Sequence, residues 1–414
     1  MRSLPFRQFF TYLGPALIVS MAYMDPGNYG TDILGGAVSN YDLVWSVWLA
    51  SLMAMLLQYL SGKLGISTGK SLPELVRGSL RTRPRIVTYW LAAESAAAAT
   101  DLAEYLGTVI ALNLLFGIPL IYAAVLGALD VLILLAFASR RFRLIEYTFM
   151  LFVSIISIGF LYEIIAVGPD YSQIAVHSVS GTLPASSLLL VVGIVGATVM
   201  PHALFVHSWL TKNKLKENTI EEKRRLRKLH VVESVLTLTI AALANAAILV
   251  VAAVVLFPSF GAHCSGATCP SPTVDDAYQI MIPLYGAAAA AVFAITLLAS
   301  GLASSTTGTL AGQSIMDGLL GTKINIFVRR LVTRFINVFP TTIAILLGLD
   351  PLSLLVYSQV ILSLMIPLPM IPLIYYTSKR AVMGEFVNRR VTTALALAVA
   401  AVIISLNAYL LSTI

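Results

Sequence analysis

The chain is a succession of long apolar stretches separated by short polar segments. A helix needs about 20 apolar residues to cross a bilayer, and eleven stretches approach or exceed that length. Their approximate ranges are 12–38, 44–65, 87–115, 119–138, 144–167, 183–210, 232–257, 279–302, 330–348, 353–377 and 391–412. No polar segment is long enough for a soluble domain. The pattern therefore predicts an all-α integral membrane protein with 11 transmembrane helices, in which residues 1–414 form a single domain.

Two of the apolar stretches are interrupted at their midpoints. The first contains Asp25-Pro26-Gly27-Asn28 between two runs that are each too short to cross a bilayer, and the sixth contains Met200-Pro201. Because proline lacks a backbone N–H and glycine adds backbone freedom, we expect both helices to unwind there. Paired interrupted helices are typical of a transporter with a binding site at the bilayer midplane. The alternative is a kinked first helix in which Asp25 only caps the second half.

The positions of the basic residues predict the orientation. Hydrophobic residues make up 58% of the chain and charged residues 11%, against about 25% charged in soluble proteins. With the N-terminus inside, all 27 Lys and Arg residues fall on the inner side, as the positive-inside rule requires. We predict a multi-pass plasma-membrane protein with a cytoplasmic N-terminus and an extracellular C-terminus. The net charge of +7 reflects this topology and not nucleic-acid binding. The mixed-charge segment 212–228 is predicted to be a cytoplasmic loop or a short surface helix, with an anionic-lipid contact as the functional alternative.

The two halves of the chain contain equal numbers of predicted spans. Residues 9–167 and 183–377 hold five each, and an odd number means that the second half starts from the opposite side of the membrane. Any structural repeat is therefore inverted. The eleventh helix, 391–412, is an addition.

The residues at the two breaks favour a metal site. Asp25 and Asn28 offer hard oxygen ligands, Met200 offers a thioether, and unwinding would free carbonyls near Ala197. Oxygen with one soft sulfur suits first-row divalent metals such as Mn²⁺ and Fe²⁺, whereas Mg²⁺ and Ca²⁺ prefer oxygen alone. The alternative for Met200 is ordinary packing.

Three acidic residues share one face of the predicted third helix, and their spacing of seven and three residues indicates a proton relay. They are Glu94, Asp101 and Glu104. The alternative is an inward face that is ion-paired with Arg329, Arg330 and Arg334. His202 is the better histidine for a relay, because it follows Met200 closely and histidine titrates near neutral pH. For His207, a structural role as a buried histidine of the helix bundle is as good an interpretation as a role in the relay.

The two cysteines, Cys264 and Cys269, lie in a predicted outer loop. An oxidising outer face favours a disulfide between them. A metal clip that includes His263 is the weaker alternative.

These motifs resemble those of the Nramp family of proton-coupled divalent-metal transporters. The matching segments are 25–28, 58–61, 99–104, 107–114, 197–202, 304–309 and 358–360. The resemblance implies a LeuT-like 5+5 inverted repeat with broken helices 1 and 6. It also implies import of Mn²⁺, Fe²⁺ or a similar ion by alternating access, with metal and proton as substrates and no resident cofactor.

The resemblance further implies a role for individual residues. The metal ligands would be Asp25, Asn28, the carbonyl of Ala197 and the sulfur of Met200, with Gln359 approaching in an occluded state. The proton route would comprise Glu94, Asp101, Glu104, His202, Arg329 and Arg330. Met200 argues against the family branches that carry magnesium or aluminium, since these replace the methionine.

Three other functions compete with this interpretation. A sodium-coupled amino-acid symporter would share the inverted repeat, but Asp25 would repel a substrate carboxylate. A membrane-embedded enzyme would need a nucleophile beside a His/Asp cluster, which the sequence does not offer near an interface. A sensor that binds metal without moving it remains an alternative.

Overall fold

The computed structural model describes residues 15–128, 142–261, 272–322 and 325–413, and the regular structure of these residues is helical. The helices in chain order are α1 (Pro15–Ala22), α2 (Pro26–Ser39), α3 (Val44–Thr68), α4 (Leu72–Leu80), α5 (Arg83–Phe116), α6 (Leu120–Gly127), α7 (Phe142–Val167), α8 (Tyr171–Val179), α9 (Leu188–Val199), α10 (Pro201–Lys212), α11 (Ile220–Phe260), α12 (Val274–Tyr285), α13 (Ala287–Leu320), α14 (Ile326–Leu346), α15 (Pro351–Met365), α16 (Pro367–Ser378), α17 (Arg380–Met383) and α18 (Arg390–Thr413).

Eight helical segments among the described residues are long and apolar enough to cross a membrane. The predicted span 12–38 is divided into α1 and α2, and 330–348 corresponds to α14, whose apolar part Leu331–Leu346 is shorter. The second half of 119–138 lies outside the described residues. The count of eleven spans therefore stays a prediction.

One predicted boundary was wrong. The span 279–302 straddles a break at Gly286, and α13 continues to Leu320. Hydropathy ends too early there because α13 carries hydroxyl residues that bond to its own backbone: Ser304 Oγ donates to the Ser300 carbonyl over 2.9 Å. The predicted span 232–257 lies within α11, which begins earlier, at Ile220, because the Thr219 side chain caps it by accepting the Glu222 N–H over 3.2 Å. The mixed-charge segment was predicted to be a loop or a short surface helix, and its residues 220–228 are helical.

The central helices are α2, α5, α9, α11, α13 and α15, and they pack against one another around the two breaks. The start of α1 is attached to α11 by a buried carboxylate. Glu233 Oε1 accepts the N–H groups of Ala16 and Leu17 over 3.2 and 3.4 Å. A helix N-terminus has unsatisfied donors and favours negative charge, so this contact fixes the first half of the first broken helix.

A candidate metal site between two broken helices

The first break is capped by the acid that was predicted to lie there. Between α1 and α2, Asp25 adopts an extended backbone conformation, and its Oδ1 accepts the Asn28 N–H over 2.8 Å. The capping alternative is thus present in the structure. It uses only one oxygen, since Asp25 Oδ2 is buried without a hydrogen-bond partner among the described residues.

The second break frees a backbone carbonyl. Met200 joins α9 to α10 with a positive φ of 37°, a conformation that non-glycine residues rarely adopt. Because Pro201 has no N–H, the carbonyl of Ala197 four residues earlier has no helical donor. It instead accepts Asn28 Nδ2 over 3.2 Å.

The two breaks meet at the side chain of Asn28. Its Nδ2 donates both to Asp25 Oδ1, over 2.7 Å, and to the Ala197 carbonyl. Asp25, Asn28, Ala197 and Met200 are all fully buried. The structure therefore brings three of the predicted ligands into hydrogen-bond contact and places the methionine in the same break.

Gln359 of α15 lies beside this group. A Cβ added to Gly27 would lie 2.1 Å from Gln359 Nε2 and 2.9 Å from Asp25 Oδ2, so the amide and the carboxylate flank the same glycine. Gln359 Oε1 is buried and has no hydrogen-bond partner in the described chain. A carboxylate oxygen and an amide oxygen are thus both unpaired at this point.

Three further polar residues surround the site and were not singled out from the sequence. Asn28 Oδ1 accepts Thr198 Oγ1 over 3.2 Å and Asn245 Nδ2 over 3.1 Å. Asp32, on α2, is fully buried, and neither of its oxygens has a hydrogen-bond partner among the described residues. The available signals were an asparagine in the apolar stretch 232–257 and an acid seven residues after Asp25.

The acidic face of α5 contacts α14. Glu94 Oε1 forms an ion pair with Arg329 Nη2. Seven residues further along α5, Asp101 Oδ1 lies 3.5 Å from Arg334 Nη1, and Asp101 Oδ2 accepts a hydrogen bond from Asn337 Nδ2 over 2.6 Å. The ion-paired alternative for these acids is thus present, although paired acids can also serve a relay because counter-charges tune their pKa values.

Glu104 and His202 lie closer to the breaks. Glu104 is fully buried on α5 beside Gly308 of α13, whose added Cβ would lie 2.8 Å from Glu104 Oε2. His202 Nδ1 is 3.0 Å from Thr100 Oγ1, so a polar contact joins α10 to α5 next to Asp101. His202 Nε2 is buried without a partner in the described part of the chain.

For His207 a structural role and a relay role were both expected. Its Nδ1 lies within hydrogen-bond distance of Gln58 Oε1, at 2.8 Å. The side chain of Arg330 and both cysteines, Cys264 and Cys269, lie outside the described residues. Within the described ranges, no group of three or more His, Cys, Asp or Glu residues could hold a metal. The candidate site therefore depends on a single carboxylate with amide, carbonyl and thioether groups.

A family model for natural resistance-associated macrophage protein-like (Nramp) proteins matches residues 16–413. The chain belongs to the Nramp family. It is 43% identical to the divalent metal cation transporter MntH of Deinococcus radiodurans over 98% of this chain and 90% of that protein. The MntH of Granulibacter bethesdensis is also 43% identical, over 97% of this chain and 88% of the relative.

Solved structures agree with this Nramp assignment. A mutant of the Eremococcus coleocola manganese transporter superposes with a TM-score of 0.85 at 32% identity, covering 98% of this chain and 87% of that one. The transporter Mhp1 in a closed conformation shares the fold at 12% identity, with a TM-score of 0.64 over 95% and 88% of the two chains. The predicted all-α, LeuT-like fold and the prediction of a transporter rather than an enzyme are confirmed.

Proposed function

We propose that this Nramp protein imports divalent transition-metal ions, Mn²⁺ and Fe²⁺ among them, by alternating access coupled to protons. One observation carries the proposal: the Asp25 carboxylate and the proline-freed Ala197 carbonyl, from two broken helices, bind the same Asn28 amide. The names of the MntH relatives and of the manganese transporter support the choice of substrate.

The metal would take the place of the Asn28 hydrogen bonds. In this structure the Asn28 Nδ2 donates to two of the proposed ligands, while its Oδ1 accepts from Thr198 and Asn245. A cation between Asp25 and Ala197 needs an acceptor and not a donor from Asn28. Metal binding therefore requires the Asn28 amide to turn, and the unpaired Oδ2 of Asp25 is already available.

Selectivity in this proposal comes from Met200. Its thioether joins oxygen ligands, which favours first-row transition metals over Ca²⁺ and Mg²⁺. Full burial of the site excludes bulk water from the ligands. A membrane potential that is negative inside adds about 2.3 kcal/mol per charge per 100 mV to cation uptake.

Proton transfer in this proposal follows α5. The contact between His202 and Thr100 lies between the metal site and Asp101, and the acids continue toward α14 as the Asp101–Arg334 and Glu94–Arg329 pairs. Each group can hold or pass a proton, and the arginines stabilise the charged form of the acids. The proposal includes a cytoplasmic N-terminus, an extracellular C-terminus and a plasma-membrane location, on the positive-inside argument.

The decisive experiment is Mn²⁺ uptake into proteoliposomes with an imposed pH gradient, with excess Mg²⁺ or Ca²⁺ as competitor and a lumenal pH dye. We expect uptake that resists competition and acidifies the lumen, and we expect Asp25→Asn to abolish it. Transport by Asp25→Asn would refute the ligand assignment. Binding without uptake by the unaltered protein would favour a sensor instead.

A further inference from the structure

A polar cavity lies at the basic ends of α3 and α11. Its volume is about 830 Å³, and it is bounded by α3, by the first turns of α11 and by the segment that precedes and begins α18. Its lining includes Tyr59, Lys63, Arg227, Lys228, Val231, Val232, Glu385, Phe386, Val387, Arg389 and Thr392.

The lining is strongly cationic. Lys63, Arg227, Lys228 and Arg389 all contribute to it, whereas Glu385 is the one acid among the described lining residues. That acid is already engaged, because Arg224 binds its two oxygens over 3.0 and 2.9 Å from outside the lining. Four cations thus share a cavity whose one described carboxylate is paired with a fifth cation.

Lys63 makes this arrangement costly without an anion. Its side chain is buried, at 2% exposed. The amine bonds to Asn388 Oδ1 and lies 5.3 Å from the centre of the Tyr59 ring, but no carboxylate lies within 4.0 Å of it among the described residues. A buried ammonium group is stable when it is paired, and the neighbouring Arg227 adds repulsion.

The cavity also has an apolar side that opens toward the bilayer. Val231 and Val232 line it and are 38% and 46% exposed. Val235 and Leu236, one turn further along α11, are exposed too. This spacing of three and four residues makes one continuous apolar face of the helix, which leads from the cations into the hydrocarbon region. A ligand that fits both parts has an anionic head and an apolar tail.

We propose that this cavity binds the phosphate headgroup of an anionic phospholipid, with the acyl chains along the exposed face of α11. Arg227 and Arg389 match phosphate oxygens with paired N–H donors, and Lys63 acts as a buried point charge. Anionic lipids concentrate at the leaflet that faces basic segments, where the positive-inside rule places this end of the protein. The site is independent of the metal site and of the proposed transport.

The test is lipid binding by the purified full-length protein in detergent micelles, measured by native mass spectrometry. Dioleoylphosphatidylglycerol is titrated against dioleoylphosphatidylcholine. Since each cation near anionic lipid contributes about fivefold to affinity, the Arg227→Gln/Arg389→Gln double variant should bind phosphatidylglycerol about 30-fold more weakly. Lys228→Gln alone, at an exposed position, should lose about fivefold. Thermal unfolding of each variant without lipid checks that it is folded.

Arg225→Gln is the matched control, because Arg225 is an exposed cation on the same helix that does not line the cavity. It should bind phosphatidylglycerol as the unaltered protein does. Equal binding of the two lipids, or an equal loss in the Arg225 variant, would overturn the proposal. A further arm adds inorganic phosphate and glycerol 3-phosphate as competitors. If either binds as tightly as the lipid, the ligand is a soluble anion and the lipid assignment is wrong.

Discussion

Asp32 offers a sharp test of the charge balance at the proposed metal site. It is fully buried, and both of its oxygens lack hydrogen-bond partners in the described chain. Asp25 is the N-cap of the same helix. A divalent ion bound by Asp25 alone would leave one positive charge in a buried site. We predict that the carboxylate of Asp32 compensates this charge without touching the metal.

The expected magnitude follows from the helix geometry. Seven residues separate Asp32 from Asp25, which corresponds to about 10 Å along the helix axis. At an effective dielectric constant of about 20, one charge and a divalent ion at this distance attract by about 3 kcal/mol. That energy corresponds to about 100-fold in the dissociation constant. A dielectric constant of about 40 would halve the energy and leave about tenfold.

The assay is calorimetric Mn²⁺ binding to Asp32→Asn, which keeps the size of the side chain and removes its charge. We expect 10- to 100-fold weaker binding. Asp42→Asn is the control, because Asp42 lies just beyond α2 with its side chain 47% exposed and paired with His177. Solvent screens such a charge, so its removal should change affinity less than twofold. An unchanged affinity in Asp32→Asn would refute the charge-compensation argument.

Three other substitutions have defined outcomes. Met200→Leu conserves the side-chain volume and should cost less than about 1.5 kcal/mol of stability. We expect Ca²⁺ and Mg²⁺ to compete better with Mn²⁺ for uptake by this variant. Unchanged selectivity would show that the Met200 sulfur does not set it. Glu94→Gln removes the ion pair with Arg329, at a cost of about 2 kcal/mol of stability. Lumenal acidification during uptake should fall more than Mn²⁺ binding does. Equal losses of the two would contradict a role of Glu94 in proton transfer. Gly196→Ala should lower stability by about 1–3 kcal/mol by overpacking, measured by thermal unfolding, because its Cβ would lie 1.9 Å from a backbone oxygen. Gly35→Ala is its control, since the nearest atom would be 3.6 Å away.

The broken helices could be predicted because their cause is local. Proline removes a donor wherever it stands, so Pro26 and Pro201 mark the breaks without any knowledge of packing. The same reasoning reaches the Ala197 carbonyl, because the missing N–H belongs to the residue four positions later. The length of α13 was mispredicted because of how hydropathy treats hydroxyl side chains. Hydropathy scores hydroxyl groups as polar, although within a helix they bond to the preceding turn.

The surroundings of the site could not be predicted because they depend on which helices touch. Asn245 becomes a neighbour of the proposed metal ligands only through the packing of α2 against α11. The pairing of Asp101 with Arg334 likewise could not be chosen from the sequence. Three arginines at one helix start are equivalent until the helix is rotated into place.

The contacts of Gln359 show why the ligand set should depend on conformation. The Gln359 side chain can lie against Gly27 because Gly27 has no Cβ, and its backbone can approach α9 because Gly196 has none. Asp25 and Ala197 belong to the ends of the broken helices, whereas Gln359 belongs to α15. A displacement of α15 would therefore move the amide away from the proposed site and leave the ligands on the broken helices in place. Such a site can bind an ion tightly in one arrangement and weakly in another, which is what alternating access requires.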